Sequence, residues 1–401
     1  MPKTILIATA LVLTLLATAC NQGAKVSISV DERSHAWTIP LAPGYGKGVA
    51  APSAGYVGDE LMIAGGCNFP DTPAAEGGRK VYYDDVYITR LDADTLSWLK
   101  AGSLPTPLAY AATCVYGNAL IIAGGKNNDE ELSTVLRLFT NGRGILFTDS
   151  LAPLPLPRSG MASALIGSRF YLIGGSVEGK PTSSVIYTDL SRPDAGWSEL
   201  PPLPGNTWRK VTAAASGDSS IVALCSFSTA PADERDKLDQ ATYVYKLTGD
   251  HWEEHSPATD DEGSPIPIGG GMGITLPDGT ALFMGGVNKE RFHEGLDTEA
   301  NLREARAGED SLVLHTATQA MHTYLTRPIE WYAFNPLTIT YHTTPKPYWS
   351  EAGRTERTAR ADAALVSTPF GLLVISGELK PGIRTPRITL LTITHPNTQT
   401  Q

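Results

Sequence analysis

The stretch Leu61-Met62-Ile63-Ala64-Gly65-Gly66 decides the fold, because an aliphatic run that ends in a glycine pair, or in a worn copy of one, recurs along the chain. The five later copies end at Gly124-Gly125, Gly174-Gly175, Cys225-Ser226, Gly285-Gly286 and Ser376-Gly377. From copy to copy the spacing is 59, 50, 51, 60 and 91 residues. A chain that repeats one unit at a near-constant period builds its core by stacking that unit against the next.

A period near 50 residues is typical of Kelch-type β-propellers, whose blades are four-stranded antiparallel sheets. Most copies are followed by an aromatic strand and then by an outer tryptophan, as at Trp98, Trp197 and Trp252. We expect the aliphatic strand to face the central axis, the glycines to allow close packing there, and the tryptophans to fill the space between blades. The predicted fold is therefore all-β, a six-bladed Kelch-type propeller. A β-sandwich, the alternative for regularly spaced strands, leaves the glycine pairs unexplained.

The two ends of the chain predict how the ring closes. After Gly377 only one further long strand remains, at residues 388–393, so the last blade lacks an outer strand. A candidate for that strand lies near the N-terminus, at residues 35–38. Pairing the two would close the propeller and remove both free sheet edges.

The interval of 91 residues contains an insertion at about residues 289–327, with apolar residues at helical spacing and no internal proline. This pattern predicts two helices that project from one blade. They could cover the mouth of the central channel, meet a second subunit in a homodimer, or pack on their own blade.

Residues 1–19 predict an export signal, since Lys3 supplies a positive start and residues 5–19 form an apolar run too short to span a bilayer. The following Cys20 completes a sequence that resembles a bacterial lipobox, although Ala17-Thr18-Ala19 also fits ordinary signal cleavage. We predict a bacterial lipoprotein acylated at Cys20, in the periplasm or on the outer membrane. Residues 20–401 would form the single propeller domain.

Composition limits the partners. The formal net charge of -10 argues against nucleic acid, because few cations are available to neutralise phosphates. It does not exclude an anionic substrate, since a local arginine can dominate a pocket. Cys67, Cys114 and Cys225 are odd in number and lack metal-like spacing, and no pair of histidines has it either. We expect no disulfide framework and neither a metal nor an organic cofactor.

The sixth copy leads into the stretch that carries the candidate chemistry, Gly377-Glu378-Leu379-Lys380-Pro381-Gly382-Ile383-Arg384-Thr385. Glu378 follows the aliphatic strand directly, and Lys380-Pro381-Gly382 predicts a turn that returns Arg384 to the same channel mouth. A carboxylate there can move protons, and a guanidinium can bind a carboxylate through two hydrogen bonds. An ion pair that only stiffens the loop is the alternative.

This stretch resembles the active-site segment of the N-acetylneuraminate epimerases, or sialic acid mutarotases. These bacterial six-bladed Kelch-type propellers interconvert the anomers of free sialic acid. Gly285-Gly286-Val287-Asn288 resembles another segment of the family, which also leads into a helical insertion. In the family's better-known form the part like residues 151–385 precedes the part like residues 45–100. The chain therefore resembles a cyclically permuted branch, and permutation is tolerated by a ring whose termini meet.

By this resemblance Glu378 corresponds to the family's proton acceptor, and Arg384 to the arginine that accompanies it. The resemblance implies an isomerase that acts on N-acetylneuraminic acid by acid–base-assisted ring opening, with Arg384 holding the substrate carboxylate. Further candidates for contacts with sugar hydroxyl or N-acetyl groups lie at strand ends, although turn and inter-blade roles are the commoner use of such residues. They are Asn68, Arg79, Arg158 and Asn288.

Two other functions fit the sequence less well. A non-catalytic Kelch propeller that binds a glycan or a protein needs an arginine, but it has no use for a proton-transferring glutamate beside it. A copper radical oxidase would need a cluster of Tyr, His and Cys ligands, which the sequence does not display.

Overall fold

The computed structural model describes residues 25–92, 94–205, 207–228, 240–266, 268–343 and 346–395. The predicted signal peptide and Cys20 lie outside these residues. The architecture is mainly β, with many small antiparallel sheets, as a β-propeller requires. In the described ranges no helix is long and apolar enough to cross a membrane.

Six of the sheets in the described residues have four strands each. We number them in chain order of the strand that is named first for each sheet below. The first contains Ser53–Val57, Glu60–Ala64, Asp85–Thr89 and Leu99–Ser103; the second Ala112–Tyr116, Ala119–Ala123, Val135–Thr140 and Leu146–Ser150; the third Ala162–Ile166, Arg169–Ile173, Val185–Asp189 and Trp197–Leu200. The fourth contains Thr212–Ser216, Ser220–Cys225, Ala241–Lys246 and His251–His255; the fifth Met272–Thr275, Ala281–Met284, Leu337–His342 and Tyr348–Arg354; the sixth Ala364–Thr368, Gly371–Ile375, Ile388–Thr394 and Ser27–Val30.

Shorter strands form hairpins and ladders beyond the ends of these sheets. They are Cys67–Asn68 with Val81–Tyr82, Arg158–Ser159 with Ser176–Val177 and Lys180–Pro181, Trp208–Arg209 with Phe227–Ser228, and Glu378–Lys380 with Ile383–Arg384. Short 3-10 turns occur at Glu32–Ala36, Tyr45–Lys47, Ala74–Glu76 and Pro193–Ala195. The helices are α1 (Lys289–Ala307), α2 (Ser311–Thr326) and α3 (Ile329–Tyr332).

The strand nearest the axis is not the aliphatic one. In every four-stranded sheet the strand before the glycine-pair strand is innermost, and the six innermost strands together line a cavity of ≈ 240 Å³. The glycine-pair strand lies second, and in the first sheet all of Glu60–Ala64 is buried. Our expectation that this strand faces the axis is therefore wrong. Strands that converge on an axis have little room, so small residues such as Ala112, Ala162 and Gly273 occupy the inner position.

The glycine pairs allow neighbouring sheets to approach. Gly65 has φ +63, and a Cβ there would collide with the carbonyl oxygen of Leu108. Gly66 donates its N–H to that same oxygen at 2.8 Å. Equivalent bonds join Gly125 to Arg158 and Gly286 to Arg360 at 2.8 Å, and Gly377 to Val49 at 2.9 Å. The last of these joins the sixth sheet to the segment that enters the first.

The first strand of the structure pairs with the last long one, Ser27 opposite Thr394 and Val30 opposite Leu391. The strand that we predicted at residues 35–38 is wrong in position. Asp31 accepts a hydrogen bond from the backbone N–H of Arg33 and caps the 3-10 turn Glu32–Ala36. The turn redirects the chain, and Trp37 is buried in the core.

Helices α1 and α2 occupy the segment whose apolar spacing predicts two helices. Asn288 caps α1, since its side chain accepts a hydrogen bond from the N–H of Arg291. Lys380 fixes the end of α2 through hydrogen bonds. Its Nζ donates to the carbonyls of Leu325 at 3.1 Å and Arg327 at 2.6 Å. The insertion thus packs beside the glutamate–arginine hairpin.

Candidate functional site

A ring of residues surrounds one mouth of the central cavity. Each lies two positions before the innermost strand of its sheet and has a positive φ, and all six line the cavity. This mouth ring comprises Ala51, Tyr110, Gly160, Lys210, Gly270 and Asp362. Backbone hydrogen bonds connect its members from sheet to sheet, such as Gly160 N–H to Tyr110 O at 2.8 Å and Asp362 N–H to Gly270 O at 2.8 Å.

Three members of the mouth ring keep a large side chain in a backbone conformation that glycine adopts without strain. Tyr110, Lys210 and Asp362 have φ +61, +52 and +50. For an L-residue this conformation costs about 1–2 kcal/mol. Because Gly160 and Gly270 show that glycine fits the same position, the retained side chains point to a use in the site.

Lys210 and Asp362 form an ion pair across the fifth sheet. Lys210 Nζ lies 3.0 Å from Asp362 Oδ1 and 2.8 Å from Oδ2. Gly270 lies between them in the ring, and a Cβ there would come within 3.4 Å of Lys210 Cδ. Burial opposes the charge on Lys210, but Asp362 outweighs it and raises the lysine pKa. Lys210 is therefore a fixed cation at the mouth.

A second set of residues, the outer ring, follows the glycine pairs directly. Backbone bonds join each of them to the residue just before a mouth-ring residue. The outer ring comprises Cys67, Lys126, Ser176, Phe227, Val287 and Glu378. The repeat that builds the sheets thereby places Glu378 beside the mouth, paired through its backbone with Ala361.

Glu378 and Arg384 meet across a two-stranded hairpin. The strands Glu378–Lys380 and Ile383–Arg384 pair these two residues directly. Gly382, at φ +82, makes the turn that the sequence indicated. Arg384 Nη2 lies 2.8 Å from Glu378 Oε2, with the two side chains 3% and 17% exposed. The structure thus brings the two main sequence candidates together.

The surroundings of Glu378 strengthen it as a base. Burial raises its pKa, and the nearby charge of Asp362 adds to this effect. The charges of Arg384, Lys210 and Lys80 act in the opposite direction, and the net result is a pKa above the ordinary value. A carboxylate with a raised pKa accepts a proton more readily than an ordinary glutamate does.

Arg384 is enclosed rather than open to a ligand. Its guanidinium carbon lies 5.1 Å from the centre of the Phe69 ring. Its Nε and Nη1 atoms are buried, without a hydrogen-bond partner among the described residues. Burial lowers the arginine pKa, but Glu378 and other acidic neighbours raise it overall, so the charge is kept. The direct contact of Arg384 with a substrate carboxylate, which the resemblance implies, stays a prediction.

Two further lysines lie beside the mouth, and the sequence alone does not single them out. Lys80 Nζ lies 5.6 Å from the ring centres of both Phe69 and Tyr110, and Lys126 Nζ lies 5.6 Å from that of Tyr110. Lys126 could have been found, since it follows a glycine pair as Glu378 does. Lys80 could not, because a loop of irregular course carries it to the site.

A second cavity, of ≈ 320 Å³, adjoins the mouth. Tyr110, Lys126 and Lys210 line it on one side. Phe292 and Leu296 of α1 line it on another, so the helical insertion forms part of its wall. A concave space with charged groups and an apolar wall suits a small polar ligand.

Three of the four lower-ranked candidates form hydrogen bonds within the protein. Asn68 donates to the carbonyls of Gly44 and Gly48 and accepts from the hydroxyl of Tyr83. Arg158 is buried and donates to Ser184, and Asn288 caps α1. Arg79 is exposed. For Asn68, Arg158 and Asn288 these bonds fit the turn and inter-sheet roles better than contact with a sugar.

The described part of the chain contains no evident metal site. Among the described residues no group of three or more His, Cys, Asp or Glu is arranged to hold a metal ion. Cys67, Cys114 and Cys225 are free thiols, two of them buried.

The similarity to known proteins includes the candidate site. The sequence profile of the family described as "N-acetylneuraminate epimerase" matches residues 152–401, more than half of the chain and the whole of the Glu378–Arg384 segment. The chain belongs to the N-acetylneuraminate epimerase family. Residues before 152 lie outside this match, so the cyclic permutation within the epimerase family stays a prediction.

Individual relatives are distant. An N-acetylneuraminate epimerase of Brucella melitensis is 24% identical over 250 residues, covering 62% of this chain and 60% of the relative. One of Vibrio cholerae is 25% identical over 245 residues, covering 61% and 60%. A solved structure titled "Structure of YjhT" is 21% identical, with a TM-score of 0.48, and the match covers 63% of this chain and 69% of that one. The chain thus spans about 60% of the length of the epimerases that it matches.

Proposed function

We propose that this protein is a mutarotase that accelerates the interconversion of the α and β anomers of free N-acetylneuraminic acid. The observation that carries the proposal is the ion pair of 2.8 Å between Glu378 and Arg384, beside the mouth of the cavity. It lies within the part of the chain that matches the epimerase family. The names of the relatives support the substrate.

The scaffold proposed for this activity is a six-bladed Kelch-type propeller in which each four-stranded sheet is one blade. Two observations support a closed ring. Ser27–Val30 pairs with the last strand, Ile388–Thr394, and supplies the missing outer strand of the sixth sheet. The bond from Gly377 to Val49 repeats, between the last sheet and the first, the bond that joins earlier neighbours.

Glu378 is the proposed base. The anomeric hydroxyl at C2 of the sugar gives its proton to the Glu378 carboxylate, the C2–ring-oxygen bond breaks, and C2 becomes a carbonyl carbon. The ring oxygen takes up a proton, from Glu378 or from water, and the open-chain sugar rotates. Closure on the other face of the carbonyl reverses these steps and gives the second anomer. General acid–base help of this kind is worth about 10²–10⁴-fold.

Arg384 is the proposed positioning residue for this base. Its Nη2 bonds one carboxylate oxygen, and the hairpin register fixes both side chains on adjacent strands. The charge of Arg384 counteracts the burial that otherwise favours a protonated Glu378. The pair with Arg384 thus favours the ionised carboxylate, while the net raised pKa makes Glu378 a stronger base than an exposed glutamate.

Proton NMR tests the function directly. Freshly released α-N-acetylneuraminate is followed with and without protein, and we expect the anomers to equilibrate faster with wild-type protein. Glu378→Gln should abolish the acceleration while the variant stays folded. Arg384→Ala should reduce it strongly, and Arg384→Lys should restore part of it and move the pH profile. Arg137→Ala, which breaks an exposed pair with Asp149 on the second sheet, is the matched control.

Equal rates with and without wild-type protein would overturn the mutarotase proposal. A non-catalytic propeller that binds a glycan or a protein would then take its place. Unchanged activity in folded Glu378→Gln protein would instead reject Glu378 as the base.

An exported location suits an enzyme that acts on newly released sugar, and we propose the periplasm or the outer membrane of a bacterium, with a lipid on Cys20. The residues concerned lie outside those that the structure describes. Mass spectrometry of the mature N-terminus tests this proposal, since an acylated cysteine differs in mass from a chain cut after Ala19 without a lipid.

A further inference from the structure

Cations and aromatic rings alternate along one side of the channel mouth. The order is Lys126, Tyr110, Lys80, Phe69 and Arg384, with each cation 5.1–5.6 Å from the centre of a neighbouring ring. Two aromatic rings thus lie among three positive charges, and ring faces attract cations. This row concentrates positive charge at one place in a chain whose net charge is -10.

The two lysines of the row differ from the other cations of the site. Arg384 is paired with Glu378 and Lys210 with Asp362. In the described part of the chain, by contrast, no hydrogen bond or ion pair joins Lys80 or Lys126 to a carboxylate. Both are partly buried, and burial lowers the pKa of Lys80. A cation that is withdrawn from water and lacks a counter-charge is stabilised when an anion binds.

Acidic groups around the row are already engaged. Glu131 is close enough to Lys126 to feel its charge, but its carboxylate accepts hydrogen bonds from Ser159 at 2.8 Å and Gly179 at 3.1 Å. Glu378, whose charge acts on Lys80, is bonded to Arg384. Lys126 also lines the ≈ 320 Å³ cavity. The end of the row formed by Lys126 and Tyr110 therefore faces a space that a small anion can enter.

We propose that Lys80 and Lys126, beside the ring of Tyr110, form the subsite that binds the carboxylate of a sugar acid. This assignment rests on the proposed function for the identity of the sugar, and it transfers carboxylate binding from Arg384 to the two lysines. The division is consistent with the enclosure of Arg384. The lysines bind the anion, and Arg384 positions the base.

The test compares N-acetylneuraminate with its methyl ester, which has the same sugar but no negative charge. Affinities are measured by titration calorimetry for the wild type, Lys80→Met, Lys126→Met and the double variant. A hydrogen bond to a charged group is worth about tenfold or more in affinity, so each single variant should bind the acid about tenfold more weakly. Binding of the ester should hardly change. Lys246→Met, in the outer part of the fourth sheet, is the matched control.

Arginine variants separate charge from folding. Lys80→Arg and Lys126→Arg keep the positive charge and should recover most of the preference for the acid over the ester. Higher salt should weaken binding of the acid to the wild type but not to the double variant. In kinetic assays the lysine variants should raise KM with little change in kcat.

Equal losses of affinity for acid and ester, or no loss for the acid, would overturn the subsite. So would a wild-type protein that binds the two ligands alike or binds neither. A protein that prefers the acid through these lysines but does not accelerate anomer exchange would contradict the mutarotase proposal and leave the anion subsite standing.

Discussion

The ion pair between Lys210 and Asp362 should stabilise the whole molecule, because it joins the fourth sheet to the sixth across the cavity mouth. The perturbations are Lys210→Met, Asp362→Asn and the double variant. Each single substitution leaves one partner without its counter-charge in a partly buried position. The double variant removes both charges together.

The expected coupling free energy between Lys210 and Asp362 follows from their distance and their exposure to solvent. At 2.8 Å, two unit charges in a medium of effective dielectric constant ~20 attract by about 6 kcal/mol. The lysine side chain is 33% exposed and the aspartate 18%, so water screens the pair, and desolvation offsets much of the remainder. We therefore expect a coupling free energy of about 1–3 kcal/mol.

Urea unfolding of the four proteins measures this coupling. The double variant should be less destabilised than the sum of the two single variants, by that coupling energy. The pair Arg137–Asp149, with side chains 44% and 45% exposed, provides a control cycle. Its coupling should stay below about 1 kcal/mol, as for exposed pairs in general.

A coupling no larger than that of the control would refute the argument that the pair is a fixed element of the mouth. The positive φ of Lys210 and Asp362 would then have no energetic compensation in this contact. Raising the salt concentration gives a second reading, since it should reduce the control coupling more than the mouth coupling.

The remaining predictions concern pH, a glycine and a helix cap. The enzyme-catalysed rate, corrected for the spontaneous rate, should fall on acidification, because protonated Glu378 can no longer accept a proton. Since the pKa of Glu378 is raised, this fall should begin at a higher pH than for an ordinary glutamate. A rate that does not change with pH would contradict the role of Glu378 as the base. Gly285→Ala should lower the free energy of unfolding by at least about 2 kcal/mol, since φ is +69 and the new Cβ would lie 2.5 Å from the carbonyl oxygen of Arg360. Gly217→Ala, at φ +64 with no atom within 4 Å of the Cβ, should lose only about half as much in the same urea experiment. Asn288→Ala should cost about 1 kcal/mol in thermal unfolding without reducing the rate, and a loss of activity in folded protein would show that Asn288 does more than cap α1.

The glycine pairs could be interpreted from sequence because their conformation is local. A glycine pair at the end of an aliphatic run specifies a positive φ and a close approach, whatever the neighbouring sheets are. The residue that follows each pair can therefore be placed near the mouth from sequence, and Glu378 is one of these residues. Arg384 followed from the turn that Gly382 permits.

The mouth ring could not be predicted in the same way. Tyr110, Lys210 and Asp362 adopt a positive φ without the glycine that normally signals it. Their shared position becomes visible only when the innermost strands are aligned, and we had assigned the inner place to the wrong strand. Lys80 and Phe69 depend on the course of an irregular loop, which long-range contacts fix rather than local sequence preference.

The N-terminal strand was misplaced for a different reason. Trp37 matches the position of the outer tryptophans in other repeats, so residues 35–38 looked like the missing strand. The structure uses Ser27–Val30 instead, a short polar and apolar alternation without an aromatic residue. A strand of four residues at a sheet edge gains most of its stability from its partner, and its own sequence identifies it weakly.

Large and small residues alternate around the mouth, with Tyr110, Lys210 and Asp362 on the even-numbered sheets and Ala51, Gly160 and Gly270 on the odd-numbered ones. The bulky groups of the mouth ring therefore occur at every second of its six positions. Lengthening a side chain at Gly160 should narrow the aperture and hinder the passage of small solutes, whereas trimming Tyr110 to alanine should widen it. The width of the mouth can thus be changed at one mouth-ring position at a time, without altering the sheets behind the mouth.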